Sequence, residues 1–449
     1  MAARAGSRPR PTSVPAARTS GRSSTGRRDR HLPAVPGHRL DRGPGPDPAL
    51  RQRLQPLASL LRAKTTPRPD ENTLTAVPGF VGACPSVPLR AGSTGLPELA
   101  HGATVRAMAS NPSLVQALRG GIVESFHRGA VAVLDAGGTV HTALGDIDRP
   151  VFPRSAVKLL QALPLVASGA ADRFGLDDAA LALACASHNG EPAHVATAAG
   201  MLARAGLDAS ALECGTHWPR DESVLRALVA EGGTATALHN NCSGKHAGFV
   251  CLGCAMAGGD PAGFVRGYVR PGHPVMREVT AAVQAVTGHD LERAACGTDG
   301  CSIPTHAIPL RALALGFARV ASGQGLAPEH AAAARRLRQA VARAPFMVAG
   351  SGRFDTRVMQ ALGEQVCCKV GAEGVYCAAL PTLGLGLALK VDDGNTARAA
   401  EVAMAALLQS LLQPDGEAGG LLRTLSDLPL HNWNGIEVGR LQATSSLRP

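Results

Sequence analysis

Gln365 to Val391 reads QVCCKVGAEGVYCAALPTLGLGLALKV. Three apolar runs of strand length, 365–370, 375–380 and 383–391, follow one another, the first two separated by Gly371-Ala372-Glu373-Gly374. Short apolar runs rich in Val, Leu and aromatic residues and punctuated by glycine predict β-strands. The turn Asp392-Asp393-Gly394 ends the third run, and an amphipathic helix is predicted over about 396–412. A matching signal lies far upstream. Gly129 to Gly145, GAVAVLDAGGTVHTALG, predicts a β-hairpin turning at Ala136-Gly137-Gly138, where glycine supplies the positive φ of a tight turn. The stretch between is helical in pattern. Pro153 precedes Val157, Leu159, Leu160 and Leu163 at helical spacing. Residues 177–186 run into the polar loop Ser187-His188-Asn189-Gly190, and Ala-rich helical segments cover 221–231, 246–257, 276–287 and 327–343. Strands at both ends and helices in the middle predict one antiparallel sheet packed against helices, an α+β domain. No internal repeat is visible.

Charge and proline divide the chain. It has 449 residues, 45 Lys+Arg and 35 Asp+Glu, a formal charge of +10. Residues 1–107 hold 17 Lys/Arg and 6 Asp/Glu, and the remainder holds 28 and 29. The same first segment carries 15 of the 32 Pro and one of the 11 Cys. Such a segment buries too little apolar surface to offset its ordering entropy and is expected to be disordered. Residues 108–449 are expected to form a single catalytic domain. Met108 stands where the composition changes, so residues 1–107 read as a stretch upstream of the true start, an organelle-targeting segment or a disordered tail. The basic excess lies outside the expected domain and argues against nucleic-acid binding by it. No uninterrupted run of about 18 apolar residues predicts a membrane helix, and no apolar segment follows the first arginines as a secretory signal does. Free thiols and a cytoplasmic location are therefore expected.

Lysine is scarce: 5 Lys stand against 40 Arg, and four of the five, Lys158, Lys245, Lys369 and Lys390, fall after residue 107. Where arginine serves as the general surface cation, a retained lysine marks a position needing an amine that can lose its proton. Ser155-Ala156-Val157-Lys158 is S-x-x-K, with both side chains on one helical face and a desolvated amine able to take the serine proton. Ser187-His188-Asn189 is S-x-N, and Lys369-Val370-Gly371 is K-x-G on a predicted strand, where the glycine admits substrate to the strand edge. Each alone also reads as a helix cap or an exposed lysine. In this order, on helix, loop and strand, they point to a serine amidohydrolase.

A second constellation is Asn240-Asn241-Cys242-Ser243-Gly244-Lys245-His246, with Gly297-Thr298-Asp299-Gly300-Cys301. Two thiols from separate loops suit Zn²⁺, with a third ligand from His246, Asp299 or Lys245. By chemistry alone lysine ranks last, since it must be neutral to coordinate. Both cysteines read equally as buried small residues. Cys251-Leu252-Gly253-Cys254 has the sharper metal or redox spacing, but it lies in an apolar run with no second pair and reads as core. His194 and His217, in polar or Trp-containing loops, read as structural.

The stretches RGGIVESFHRGAVAV, FPRSAVKLLQALPL, ASHNGEPAH, CGTHWP, HNNCSGKHAGF, GTDGCSIPTHAIPL, AGSGRFDT and KVGAEGVY lie in order along about 110–415. Together they resemble the rhizobial-type (asparaginase II, class 3) L-asparaginase family. The resemblance implies a serine β-lactamase-like fold, a homodimer and hydrolysis of L-asparagine to aspartate and ammonia. It implies two Ser–Lys pairs, Ser155 with Lys158 and Ser187 with Lys369, and zinc ligands at Cys242, Lys245 and Cys301, with Asp299 as the family's acid. Arg154, Asn189 and Gly371, inside the same motifs, are the expected substrate-binding residues. Members start near Met108. The implied mechanism has Ser155 as nucleophile, activated by Lys158, with Ser187 and Lys369 relaying a proton. The competing readings are a related glutaminase or β-lactamase-like enzyme, a non-catalytic zinc scaffold, and nucleic-acid binding through the Arg-rich segment.

Overall fold

The strands expected near the two ends of the chain meet in one antiparallel sheet. The computed structural model describes residues 110–447; the expectations for residues 1–107 and for a start at Met108 lie outside them. The elements that build the site are, in chain order, β1 (Ser113–Arg119), β2 (Ile122–Asp135), β3 (Val140–Leu144), α1 (Lys158–Gln161), α2 (Asp178–Ala184), α3 (Ser243–Met256), α4 (Leu310–Ser322), α5 (Phe354–Leu362), β4 (Cys367–Val370), β5 (Val375–Leu380), β6 (Leu385–Val391), α6 (Glu401–Leu412), β7 (Asp427–His431) and β8 (Glu437–Ala443). The strand order is β7-β8-β1-β2-β6-β5-β4, with β3 also paired to β2. The fold class is α+β, as expected.

The long strand β2 joins two half-sheets. Its first half pairs with β1, and its second half pairs with β6 from Gly129↔Val391 to Asp135↔Leu385. Strands β4 and β5 are buried at every position, and β6 at all but Lys390. Helices such as α4, which lies across β6, cover this half-sheet. That is why these segments read as continuous apolar runs instead of an alternation. Three features differ from the sequence expectation. The helix expected from Pro153 is a 3₁₀ turn, Arg154–Val157, then α1, then a separate helix at Leu163–Ala167 begun by Pro164. The helix over 396–412 opens with a π-helical turn, Thr396–Ala400. Strands β1, β7 and β8 carry no expectation; they place Gln116, Arg440 and Gln442 at half-buried positions and lack a β-branched run. Among the described residues no helix is long and apolar enough to cross a membrane.

Candidate active site

Ser187 sits in the loop that leaves α2. The loop is clamped on both sides, since Ser187 N–H donates to Val348 O at 2.8 Å and His188 N–H donates to Asn241 O at 3.2 Å. Two lysines from distant parts of the chain reach the Ser187 hydroxyl. Lys158, the first residue of α1, places Nζ 2.9 Å from Ser187 Oγ; Lys369, on β4, places Nζ 3.0 Å from the same atom. All three residues are sealed from solvent: Ser187 is 3%, Lys158 0% and Lys369 2% exposed. Burial penalises an ammonium. It pushes the Lys369 amine down to about 7, with the neighbouring Asp355 charge acting against that fall and Lys158 reinforcing it. Burial likewise pushes Lys158 down, against the charge of Cys242.

The remaining partners distinguish the two amines. Lys158 faces three acceptors: Ala186 O at 2.5 Å, Ser187 Oγ, and Cys242 Sγ at 3.1 Å. An ammonium has three N–H donors and satisfies all of them. Lys369 has one other partner, Val370 O at 2.7 Å. A neutral amine has two donors and a lone pair, which suits one carbonyl and one serine O–H.

The thiol cluster adjoins this arrangement. Cys242 lies at the N-cap of α3, where the helix dipole favours a thiolate, and its N–H donates to Asn240 Oδ1 at 2.8 Å. Gly244 in the next turn lets α3 touch α2 directly; a Cβ there would lie 2.4 Å from Leu183 O. Cys301 is carried by a tight loop between two short strands, Cys296–Thr298 and Pro304–His306. Asp299 N–H donates to Ile303 O at 2.8 Å and Ser302 adopts φ 76°. The two thiols face each other, and Lys245 Nζ donates to Cys301 Sγ at 2.9 Å. The neighbouring Cys301 thiol lowers Cys242 well below the ordinary thiol value, against its burial and with help from Lys158 and Lys245, while Cys242 raises Cys301. The pair loses one proton readily and resists losing the second. Burial works against a charged Lys245, but the two thiols outweigh it and raise its value.

The third part of the site is its rim. Arg154, at φ 51°, reaches Asp299 Oδ1 at 2.7 Å. Burial opposes ionisation of Asp299, yet Arg154 and Lys245 hold its carboxyl below the usual range. Ser155 is half-buried, and among the described residues its hydroxyl has no hydrogen-bond partner. A cavity of about 410 Å³ lined by Phe152, Arg154, Gly297, Thr298, Glu373 and Lys390 opens beside this rim. Gly371 lets the end of β4 pass close to the turn carrying Arg154 and Ser155; a Cβ there would lie 2.7 Å from Pro153 O.

The structure therefore brings together Lys158, Ser187, Lys369, Cys242, Lys245 and Cys301, with Arg154, Ser155, Asp299 and Gly371 alongside. It does not place Lys158 on Ser155, the partner expected from the S-x-x-K spacing. The 3₁₀ turn ends at Val157, so α1 starts at Lys158 and directs its amine to the next loop. Asn189 is engaged at both ends, accepting from Arg353 at 3.0 Å and donating to Glu191 at 3.2 Å, which marks it as a scaffold residue. His194 stacks between His188 and Phe346, and His217 Nε2 accepts from Asn241 N–H at 2.7 Å, so both are structural, as expected. Cys251 and Cys254 are buried, and burial pushes Cys251 up to about 12. Among the described residues no three His, Cys, Asp or Glu side chains form a metal-binding group; the donors that converge are two thiols and an amine. Sequence reasoning passed over Asp355, although it sits inside the AGSGRFDT stretch.

A hydroxyl held between two buried amines, beside an ion-paired rim, is an arrangement able to activate a serine oxygen. The L-asparaginase II model matches residues 115–443, most of the chain, and the chain belongs to that family. No curated protein matches the sequence. A solved structure described as "Crystal Structure Analysis of Mglu in its tris and glutamate form" is 14% identical, covers 68% of this chain and 65% of that chain, and superposes with a TM-score of 0.30, too loosely to bear on function.

Proposed function

We propose that the protein hydrolyses L-asparagine to L-aspartate and ammonia, with Ser187 as the attacking hydroxyl, Lys369 as its base and Lys158 as the ammonium that steadies it. The observation that carries this reading is the convergence of two buried amines on Ser187 Oγ at 2.9 and 3.0 Å. Lys369 takes the hydroxyl proton as Oγ bonds to the side-chain amide carbon. Lys158 donates to the developing alkoxide and restrains its charge. The proton held by Lys369 then passes to the departing nitrogen, which leaves as ammonia. Water attacks the resulting ester and gives a proton to the same amine; the bond to Ser187 Oγ breaks, Lys369 returns that proton to the serine oxygen, and aspartate is released. Arg154, across the rim from Asp299, supplies the cation for the substrate α-carboxylate. The family's β-lactamase-like architecture and homodimer form part of the same proposal.

Cys242, Cys301 and Lys245 fit zinc as a donor set. One thiol is already poised to ionise, thiolates are soft ligands, and a dication would displace the Lys245 proton. Bound there, zinc would supply a fixed positive charge that orders the rim and the substrate's α-amino and α-carboxylate groups.

A second reading has Ser155 as nucleophile, with Ser187 and its lysines relaying protons. It is favoured by the greater exposure of Ser155 and its place beside Arg154. Ammonia release from L-asparagine, glutamine and nitrocefin turnover, and intact mass after rapid quenching, test both. We expect asparagine to be the preferred substrate. Ser155→Ala is expected to retain an acyl-enzyme that Ser187→Ala cannot form; the reverse pattern assigns the attack to Ser155. A folded, metal-loaded protein that releases no ammonia from any amide overturns the enzymatic reading.

A further inference from the structure

Among the described residues strand β4 is the last strand of its sheet, and one of its edges has no neighbouring strand. The Val370 N–H points out of that edge into the protein interior, where an unpaired donor is costly. Asp355, in the first turn of α5, accepts it: Val370 N–H donates to Asp355 Oδ1 at 3.1 Å. The Tyr376 hydroxyl donates to the same oxygen at 2.7 Å, from the neighbouring strand β5. The carboxyl is 1% exposed and Tyr376 is fully buried. The Cys368 thiol, 3.9 Å from the same oxygen, adds a weak third donor, and three neutral donors are a meagre shell for a buried carboxylate. The buried amine beside it on β4 is that of Lys369, which faces Ser187. Around Lys369 the other charged or titratable groups are Lys158 from α1, Arg353 before α5, Cys242 at the head of α3, and the thiols of Cys185, Cys367, Cys368 and Cys377, while Glu401 of α6 faces Asp355, with Arg353 nearby.

We propose that Asp355 is the positioning residue of the serine pair: it stands in for the missing strand at Val370 and places a negative charge behind Lys369 that sets how strongly this amine takes the Ser187 proton. The charge keeps Lys369 a useful base near neutral pH. Burial alone would leave the amine neutral but feebly basic. The inference rests on Lys369 acting as the base, so its test includes a readout that does not depend on turnover.

The chain has only 5 lysines, so lysine labelled with ¹³C at Cε gives few NMR signals to follow through a pH titration of the full-length protein. In Asp355→Asn, which keeps an acceptor for Val370, the Lys369 midpoint is expected to fall by about one pH unit or more, the usual effect of losing a close opposite charge. The acidic limb of kcat/KM for asparagine is expected to move down with it. Asp355→Glu is expected to return both toward wild type. A folded Asp355→Asn protein with an unmoved Lys369 midpoint overturns the proposal and leaves Asp355 as an edge plug. If the midpoint moves but wild-type protein releases no ammonia, the catalytic reading fails and the charge coupling stands. A double-mutant cycle covers the case in which Asp355→Asn does not fold alone. Lys369→Met strands the Asp355 charge, so Lys369→Met/Asp355→Asn is expected to melt higher than Lys369→Met. A double variant no more stable than Lys369→Met overturns the coupling.

Discussion

Two halves of one site use the same residue in opposite ways. Lys158, Lys369 and Lys245 are buried to the same degree, and burial pushes every one of them toward the neutral amine. In the serine half the outcome is that push: Lys369 comes down to about 7 and Lys158 is lowered as well. In the thiol half the outcome is reversed, because Cys301 and Cys242 stand beside Lys245 and the one proton their pair gives up readily leaves a negative charge there. Burial alone therefore does not decide what a lysine does. In the proposed reaction the serine half moves a proton, and the thiol half holds charge.

The sharpest way to break this comparison is to replace the base by a cation that cannot lose its proton. Lys369→Arg keeps a positive charge beside Ser187 but removes the amine lone pair. It is expected to lower kcat for asparagine by about 10³-fold or more, the upper range for loss of a general base. Activity within a few-fold of wild type would move the base to Lys158.

The pH profile sharpens the same contrast. With Lys369 near 7, its neutral fraction grows as pH rises through that value, so kcat/KM is expected to climb about tenfold per pH unit below 7 and to level off above it. A profile that falls as pH rises from 6 to 8 would mean that the ammonium form of Lys369 is the active one.

Much of this was legible in the sequence. The apolar strands from 365 to 391 and the hairpin from 129 to 145 read correctly because glycine turns bound them. The scarcity of lysine singled out Lys158, Lys245, Lys369 and Lys390 before any geometry was known; the first three converge on the site, and Lys390 lines the cavity beside its rim. The pairing of Lys158 was not legible. A spacing of three implies a shared helical face only within a continuous α-helix, and the chain changes from a 3₁₀ turn to α1 at Lys158. The role of Asp355 was hidden for a different reason. Its partners are a backbone N–H and a thiol of β4 and a phenol of β5, and none of them appears as a side-chain pattern near residue 355.

A change in the thiol half is expected to act more gently than the loss of the base. Cys242→Ser removes the thiol that ionises most readily while keeping a small polar group at the head of α3. Zinc content by elemental analysis is expected to fall, and activity to drop about 10–100-fold, the scale seen when a metal's surroundings are disturbed. The pH midpoint of the acidic limb is expected to stay near 7, since Asp355 and Lys158 still surround Lys369. Loss of zinc with unchanged kcat/KM would make the thiol half purely structural. Unchanged zinc content would place the metal elsewhere or nowhere.

The smallest effect belongs to the other end of the same helix. Cys251 and Cys254 have the spacing of a metal or redox pair, yet both are buried in α3 among apolar side chains, and burial raises both thiols. Lys158 and Lys245 favour a thiolate at Cys242, and no lysine contributes at Cys251 or Cys254. Cys251 Sγ instead lies 3.5 Å from Met201 O, on the neighbouring helix Pro192–Arg204. Cys251→Ala is therefore expected to cost only about 1 kcal/mol of stability, the price of a small cavity, measured as a modest fall in melting temperature. Zinc content, kcat/KM and its pH dependence are expected to match wild type. Any loss of metal in Cys251→Ala would show that spacing outweighs electrostatic surroundings along α3, and the division into a proton-moving half and a charge-holding half at its head would have to be redrawn.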